Sequence, residues 1–335
     1  MLEALYYHHL QQHDIADSAT QNEDTRLPLI QCDLCPHFCV LKPGASGRCG
    51  ARIHLDGKLF TTNYGFVSAL AIDPIEKKPL KRWYPGTEIL SFSTLGCNMS
   101  CPFCQNYGIS MVHSTVHALH LSTEAPLPSG CEPMTPSELV ALAIQQGVPA
   151  IAYTYNEPTV FYEMVLETAM LARAAGLRNV LVTNGLINEA PLLALLPYID
   201  AMNIDVKAPT DALYKKLGAP SLDCILHTLE VVEKYNHNFA SHDTDANLRR
   251  PAIHVELTHL LVPGICDDLD KMEVLWQRLQ QINPDYVIHL TRYYPRYHYD
   301  EPATTIEMVA QAQLRAKKYF RYVYGVGTTC LDNPF

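Results

Sequence analysis

Basic charge is scarce in this chain. Lys and Arg together number 25 against 35 Asp and Glu, a net charge of -10. A surface of that sign repels phosphate backbones and anionic bilayers, which argues against broad nucleic-acid or membrane-surface binding. No run of eighteen apolar residues occurs, so no membrane span is expected. The opening stretch MLEALYYHHLQQHDIADSATQNEDTR has no basic region followed by an apolar core, so no secretory signal is expected and a cytoplasmic location is the expectation. Internal repeats and low-complexity tracts are also missing. Charged residues make up 18% and hydrophobic residues 48%, which excludes a disordered tail protein. At 335 residues the chain has room for two domains or for one α/β barrel of about 250 residues, with a core large enough to need no disulfide staples.

Cysteine is not scarce. There are eleven, an odd number, and seven fall in two tight groups. A secreted disulfide framework belongs to shorter, loop-rich chains; clustered thiols in a reducing compartment point to metal. Cys131, Cys224, Cys266 and Cys330 stand alone and read as ordinary.

Residues 1–30 are polar and read as an arm or docking segment. Residues 31–86 hold Cys32, Cys35, Cys39 and Cys49 with Gly44, Gly47 and Gly50, followed by a connector. This stretch has too few apolar residues for its own core, so a metal staple is the natural expectation. From 87 to 326 β-prone runs alternate with helical ones. Strands are expected at Ile89–Leu95, Ala150–Tyr155, Asn179–Thr183, Ala201–Val206, Ile253–Leu261, Val287–Thr291 and Tyr322–Val326. Helices are expected at 137–146, 160–175, 190–196, 223–235, 268–281 and 305–318. Capping boxes are read at Thr135 with Glu138 and at Thr304 with Glu307. This alternation implies βαβ units and an α/β fold: a parallel (β/α)6-type partial TIM barrel behind a small cysteine-rich metal-binding segment, with a doubly wound open sheet as the competitor. In either fold, functional residues collect at the carboxyl ends of strands. A loop at 107–134, a polar stretch at 236–250 and a tail at 327–335 complete the chain.

The sharpest signal is Gly96-Cys97-Asn98-Met99-Ser100-Cys101-Pro102-Phe103-Cys104-Gln105-Asn106, a C-x3-C-x2-C spacing directly after the first expected strand. Three thiols on one loop can meet at one centre. A [4Fe-4S] cluster normally takes four thiolates, so three leave one iron open to a small molecule. Zinc would want a fourth nearby ligand, and His113 lies nine residues downstream of Cys104. A redox pair needs no third cysteine. The other group, Cys32, Cys35, Cys39 and Cys49, supplies four thiolates in eighteen residues. That closes a coordination shell and suits structural zinc or a second iron–sulfur cluster. The segment resembles a small Gly-supported ribbon, which leans toward zinc.

The triplet at the first strand of a (β/α)-repeat chain resembles the radical S-adenosylmethionine (SAM) superfamily. Asp73-Pro74-Ile75-Glu76-Lys77-Lys78-Pro79-Leu80, Tyr84-Pro85-Gly86 and the Cys104-Gln105-Asn106 ending resemble the radical SAM enzymes of the AmmeMemoRadiSam system, relatives of the pyruvate formate-lyase (glycyl radical enzyme) activating enzymes. The likeness covers roughly residues 31–326. It implies a [4Fe-4S] cluster on Cys97, Cys101 and Cys104, with SAM on the open iron. Reductive cleavage of SAM then yields a 5′-deoxyadenosyl radical that abstracts hydrogen from a substrate, by analogy a protein or peptide. It also implies an electron donor such as flavodoxin or ferredoxin and a Memo-like or Ammecr-like protein partner.

The same likeness marks SAM-binding candidates at strand ends. Asn156-Glu157-Pro158 stands where activases carry Gly-Gly-Glu-Pro; a carboxylate there suits an ammonium, or serves a helix N-terminus. Thr183-Asn184-Gly185 resembles a Thr-Asn-Gly of activases and reads equally as a turn. Asp205 and Lys207, two apart and so on one face, face a ligand or form a plain salt bridge. Glu256, His259, His289 and Arg292 reach the cavity or are structural. Tyr293, Tyr294, Tyr297 and Tyr299 line an opening or cover a sheet edge. Two rival functions stay open: an RNA-modifying radical SAM enzyme, which the net charge disfavours, and a non-catalytic metal-thiolate interaction module.

Overall fold

The short apolar runs of the first 67 residues cannot bury themselves alone, so they pair in small sheets. A computed structural model of the chain describes residues 1–10, 28–112, 127, 129–242 and 252–325. β1 (Leu2–Glu3) lies antiparallel to β6 (Lys58–Thr61), which continues to β5 (Arg52–Leu55). The β5–β6 hairpin turns on Asp56-Gly57, both at positive φ (49° and 76°), as a two-residue turn of this twist requires. β2 (Tyr7–His9), β3 (Ile30–Cys32) and β4 (Val40–Leu41) form a second three-stranded sheet. The first ten residues, read from sequence as a polar arm, thus supply two strands. Residues 11–27 of that arm lie outside the described residues.

β7 (Phe66–Val67) pairs with β10 (Glu132–Pro133) from the far side of the 107–134 loop, most of which lies outside the described residues. The main sheet has eight strands. They are β8 (Ala69–Pro74), β9 (Glu88–Ser93), β11 (Ala150–Tyr153), β12 (Arg178–Thr183), β13 (Ala201–Asp205), β14 (His254–Leu261), β15 (Val287–Arg292) and β16 (Tyr322–Gly325). From β9 onward all neighbours are parallel and in chain order; β8 alone runs antiparallel, at the β9 edge. The crossovers carry α1 (Tyr107–Ser110), α2 (Pro136–Gln145), α3 (Tyr162–Ala174), α4 (Glu189–Leu195), α5 (Asp211–Lys216), α6 (Asp223–His242), α7 (Leu269–Ile282) and α8 (Ile306–Ala316). The result is an α/β fold with a mostly parallel sheet, consistent with a partial barrel.

All seven expected strands and six expected helices are present. Helix starts follow their caps: Thr135 and Glu138 form the reciprocal capping box of α2. At α8 the cap is one residue later than read. Thr305 accepts from Met308 N. The Thr304 hydroxyl is instead buried, taking the Tyr293 N–H at 3.0 Å and donating to the Leu261 carbonyl.

Strand periodicity divides the core in two. Leu90, Phe92, Ile151, Tyr153, Leu181, Met202 and Ile204 face the helices. Ile89, Ala150, Ala152, Val180 and Ala201 face the other way and meet Ile75, Leu80 and Trp83 of the 75–83 segment. This segment, read from sequence as a connector, is a stopper. It also hydrogen-bonds β13 through Asn203 and β14 through Glu256, and Arg82 lies 3.6 Å over the Tyr322 ring of β16. One short segment reaches strands from β9 to β16 only because the sheet curls around it. Small Ala150, Ala152 and Ala201 make the space.

Candidate functional site

The triplet loop leaves the carboxyl end of β9, and neighbouring strand ends hold it in place. The Gly96 N–H bonds the Ile109 carbonyl at 2.8 Å. Asn156 receives the Thr94 N–H at 3.2 Å and donates to the Gly96 carbonyl at 2.9 Å. Asn98, between the first two cysteines, accepts from Asn184 Nδ2 at 2.8 Å and donates to the Leu186 carbonyl at 2.9 Å. Asn184 is oriented in turn by Glu157. That carboxylate takes the Asn184 N–H at 2.8 Å, the Thr183 hydroxyl at 2.6 Å, and the Thr159 N–H and hydroxyl at 3.1 and 2.8 Å. Glu157 is 4% exposed. Burial pushes its carboxyl up, against the pull of those donors. Both of its oxygens accept from protein donors, so Glu157 braces the helix start and the loop. Asn156, Thr183 and Asn184 serve the same brace.

Cys97 lies close enough to feel the charges of Cys101 and Cys104, and Cys101 that of Cys104. Burial pushes the Cys97 thiol far up, with Glu157 adding to it, and pushes Cys101 up to about 12. Thiols in such a setting become thiolates only against a cation. Lys207 lies beside them and favours the thiolate of Cys101. Its Nζ is 2.5 Å from Asp205 Oδ2. Burial pulls Lys207 down, but Asp205 and Cys101 more than reverse this and keep it charged. The other carboxylate oxygen, Asp205 Oδ1, is buried with no hydrogen-bond partner, a group that costs free energy unless a ligand meets it.

Aromatic side chains cover the loop. Phe103 packs edge-on against Tyr293 and Tyr299, with centroids 6.4 and 6.1 Å away, and Tyr107 stacks on Tyr297 at 4.7 Å. The His298 N–H bonds the Pro102 carbonyl at 2.9 Å. Tyr293, Tyr297 and Tyr299 therefore sit over the cysteine loop itself.

Two residues read as reaching the cavity do not. His259 sits on the opposite face of β14 from Glu256, as the period of two demands. It bonds the Val206 carbonyl at 2.9 Å and lies against Trp276 of α7. Burial lowers its imidazole to about 4, so it is neutral at pH 7. Arg292 donates to the Thr304 carbonyl. Glu256 and His289 do meet each other, at 2.5 Å, but at the stopper.

The sequence reading missed Asn98 as a brace, although it stands inside the motif. It also missed Tyr155, at φ 67°, whose hydroxyl reaches Asp73 at 2.5 Å while its carbonyl takes Asn106 Nδ2 at 2.6 Å. Asn98 and Asn106 flanking the thiols were the available signal.

The donor set fits the group that the spacing implies. Three thiols brought together on one loop suit three irons of a cluster, with one corner left for another ligand. The buried Asp205 oxygen beside them suits a ligand at the remaining corner.

Residues 91–244 match the family model described as the radical SAM superfamily. An uncharacterized protein of Methanocaldococcus jannaschii is 37% identical over 298 residues, 88% of this chain and 80% of that protein. Among solved structures, a radical SAM methyltransferase from Sphaerobacter thermophilus is 17% identical at TM-score 0.47, covering 72% of this chain and 67% of that one. A domain of pyruvate-formate lyase-activating enzyme from Bacteroides vulgatus is 13% identical at TM-score 0.43, covering 52% and 98%. The family match spans the triplet loop and the first four parallel strands, β9 and β11 to β13, and this part of the chain is a radical SAM superfamily domain.

Proposed function

We propose that this enzyme binds a [4Fe-4S] cluster on Cys97, Cys101 and Cys104 and SAM beside Asp205 and Lys207, and acts on a protein or peptide in the manner of an activating enzyme. The observation that carries the site is the braced three-thiol loop with a spare buried carboxylate oxygen at its edge. When bound, the cluster and SAM supply a 5′-deoxyadenosyl radical, a hydrogen-abstracting agent. The chain's own part is geometry. Asn156, Asn98 and Asn184 fix the loop, Glu157 fixes Asn184, and Lys207 offsets thiolate charge. Asp205 Oδ1 accepts a hydrogen bond from the ligand, for which an ammonium is the best match in charge. Phe103, Tyr293 and Tyr299 keep water from the thiolates.

The motifs at 73–80 and 84–86 that resemble activating enzymes support the choice of a protein or peptide substrate. Exposed Tyr107 and Tyr294 at the covering loop give such a partner an apolar landing. A low-potential flavodoxin- or ferredoxin-class donor and a Memo-like or Ammecr-like protein are the partners to try.

Anaerobic reconstitution with iron, sulfide and a strong reductant tests the reading. Wild-type protein is expected to release 5′-deoxyadenosine from SAM, and Cys97→Ala to release none. Equal output from the two, or none from either with iron fully loaded, defeats it.

A further inference from the structure

The second cysteine group offers a site of a different kind. Cys32, Cys35, Cys39 and Cys49 together line one cavity. Arg48 and Arg52 line it from the same segment, and Asn98, Thr159 and Val160 from the main domain. Tetrahedral zinc would draw four sulfurs to about 2.3 Å from one point, leaving them nearly in contact with no cavity between them. A cluster differs: each thiolate takes an iron at a different place on a larger body, so the sulfurs stand around a volume.

Arg52 supplies an independent sign. It is 1% exposed, and its guanidinium is anchored to Glu163 Oε1 at 2.6 Å and to the Leu5 carbonyl at 2.8 Å. Its Nε is buried without a partner, and the residue lines this cavity. An N–H held there suits the sulfurs of an anionic cluster, which accept hydrogen bonds from their surroundings. The cavity also adjoins the triplet loop. Asn98, next to Cys97, forms part of its wall. The Cys49 carbonyl lies so near Gly96 that a Cβ built there would stand 2.5 Å from it.

We propose that Cys32, Cys35, Cys39 and Cys49 hold a second iron–sulfur cluster, closed by four thiolates and so unable to bind SAM, rather than the structural zinc toward which the spacing leaned. The site is independent of the reading of the triplet.

The test uses two full-length variants, reconstituted anaerobically and assayed for iron, zinc and acid-labile sulfide. Cys97→Ala/Cys101→Ala/Cys104→Ala is expected to keep about half of the wild-type iron and sulfide. Its paramagnetic resonance signal on reduction should not change when SAM is added. Cys35→Ala/Cys39→Ala is expected to lose the other half and to keep the SAM-sensitive signal. This second variant also decides the matter if the triple variant fails to fold. Zinc without labile sulfide in the triple variant, a SAM-induced change in its spectrum, or unchanged iron in Cys35→Ala/Cys39→Ala overturns the proposal. Failure of the wild type to make 5′-deoxyadenosine bears on the triplet alone.

Discussion

The two ends of the curled sheet solve opposite problems. At the lower end every named charge is matched. Lys78 Nζ meets Asp73 Oδ2 at 2.7 Å under the Tyr155 ring. Glu256 takes the Lys81 and Arg82 N–H groups at 3.0 and 2.8 Å and both His254 and His289. Ile75, Leu80 and Trp83 fill what remains. At the upper end, beside the thiols, Asp205 Oδ1 and Thr94 Oγ1 are buried without partners. Completeness below stabilises; incompleteness above leaves groups for a ligand. Lower-end substitutions should therefore cost stability, and upper-end ones should cost binding.

The largest stability loss is expected for Lys78→Met. It leaves Asp73 only Lys77 and Tyr155, and breaking a buried pair costs about 3–5 kcal/mol. Urea denaturation measures it; a loss below 1 kcal/mol would mean the stopper does not hold the barrel.

Next comes Glu256. Burial works against its charge, but His254, His289 and the Lys81 N–H hold it at about 2, from an ordinary 4.5. A depressed carboxyl adds stability above its unfolded value. That stability drains away as pH falls from about 4.5 to about 2. The contribution is about 3 kcal/mol at neutral pH. Glu256→Gln should lose this at pH 7 and flatten the acid limb of the stability–pH curve. An unchanged limb would contradict the assignment.

Gly96→Ala should cost about 2 kcal/mol, because φ is 93° and the new methyl group meets the Cys49 carbonyl. The loss should come with a reduced total metal content, read by metal analysis.

Asp205→Asn inverts the pattern. Stability should fall by only about 1 kcal/mol, since the Asp205–Lys207 pair is partly exposed. SAM binding to reconstituted protein should weaken about tenfold or more with iron content unchanged, as expected for a lost charge-assisted hydrogen bond. Equilibrium dialysis checks this; equal affinity would remove Asp205 from the site.

The repeats were legible because each parallel strand is a short apolar run and each helix starts at a local signal such as Thr135 or the acidic first turn at Asp223. The triplet was legible because its ligands share one loop. The stopper was not, because Asp73 to Lys78 is locally a polar connector; its charges make sense only beside Tyr155, and its apolar residues only under Ala150, Ala152 and Ala201. Two partners of Glu157 were hidden for the same reason: Thr183 and Asn184, which donate to its carboxylate, lie 26 and 27 residues away.

Residue order alone determined the alternation of strands and helices, the helix caps and the grouping of seven cysteines, since each depends on neighbours within a few positions. Only the tertiary structure decided which carboxylate oxygen stays without a partner and which basic group sits beside which thiol. Those outcomes depend on distances between segments far apart in the chain, and the curl of the sheet sets them.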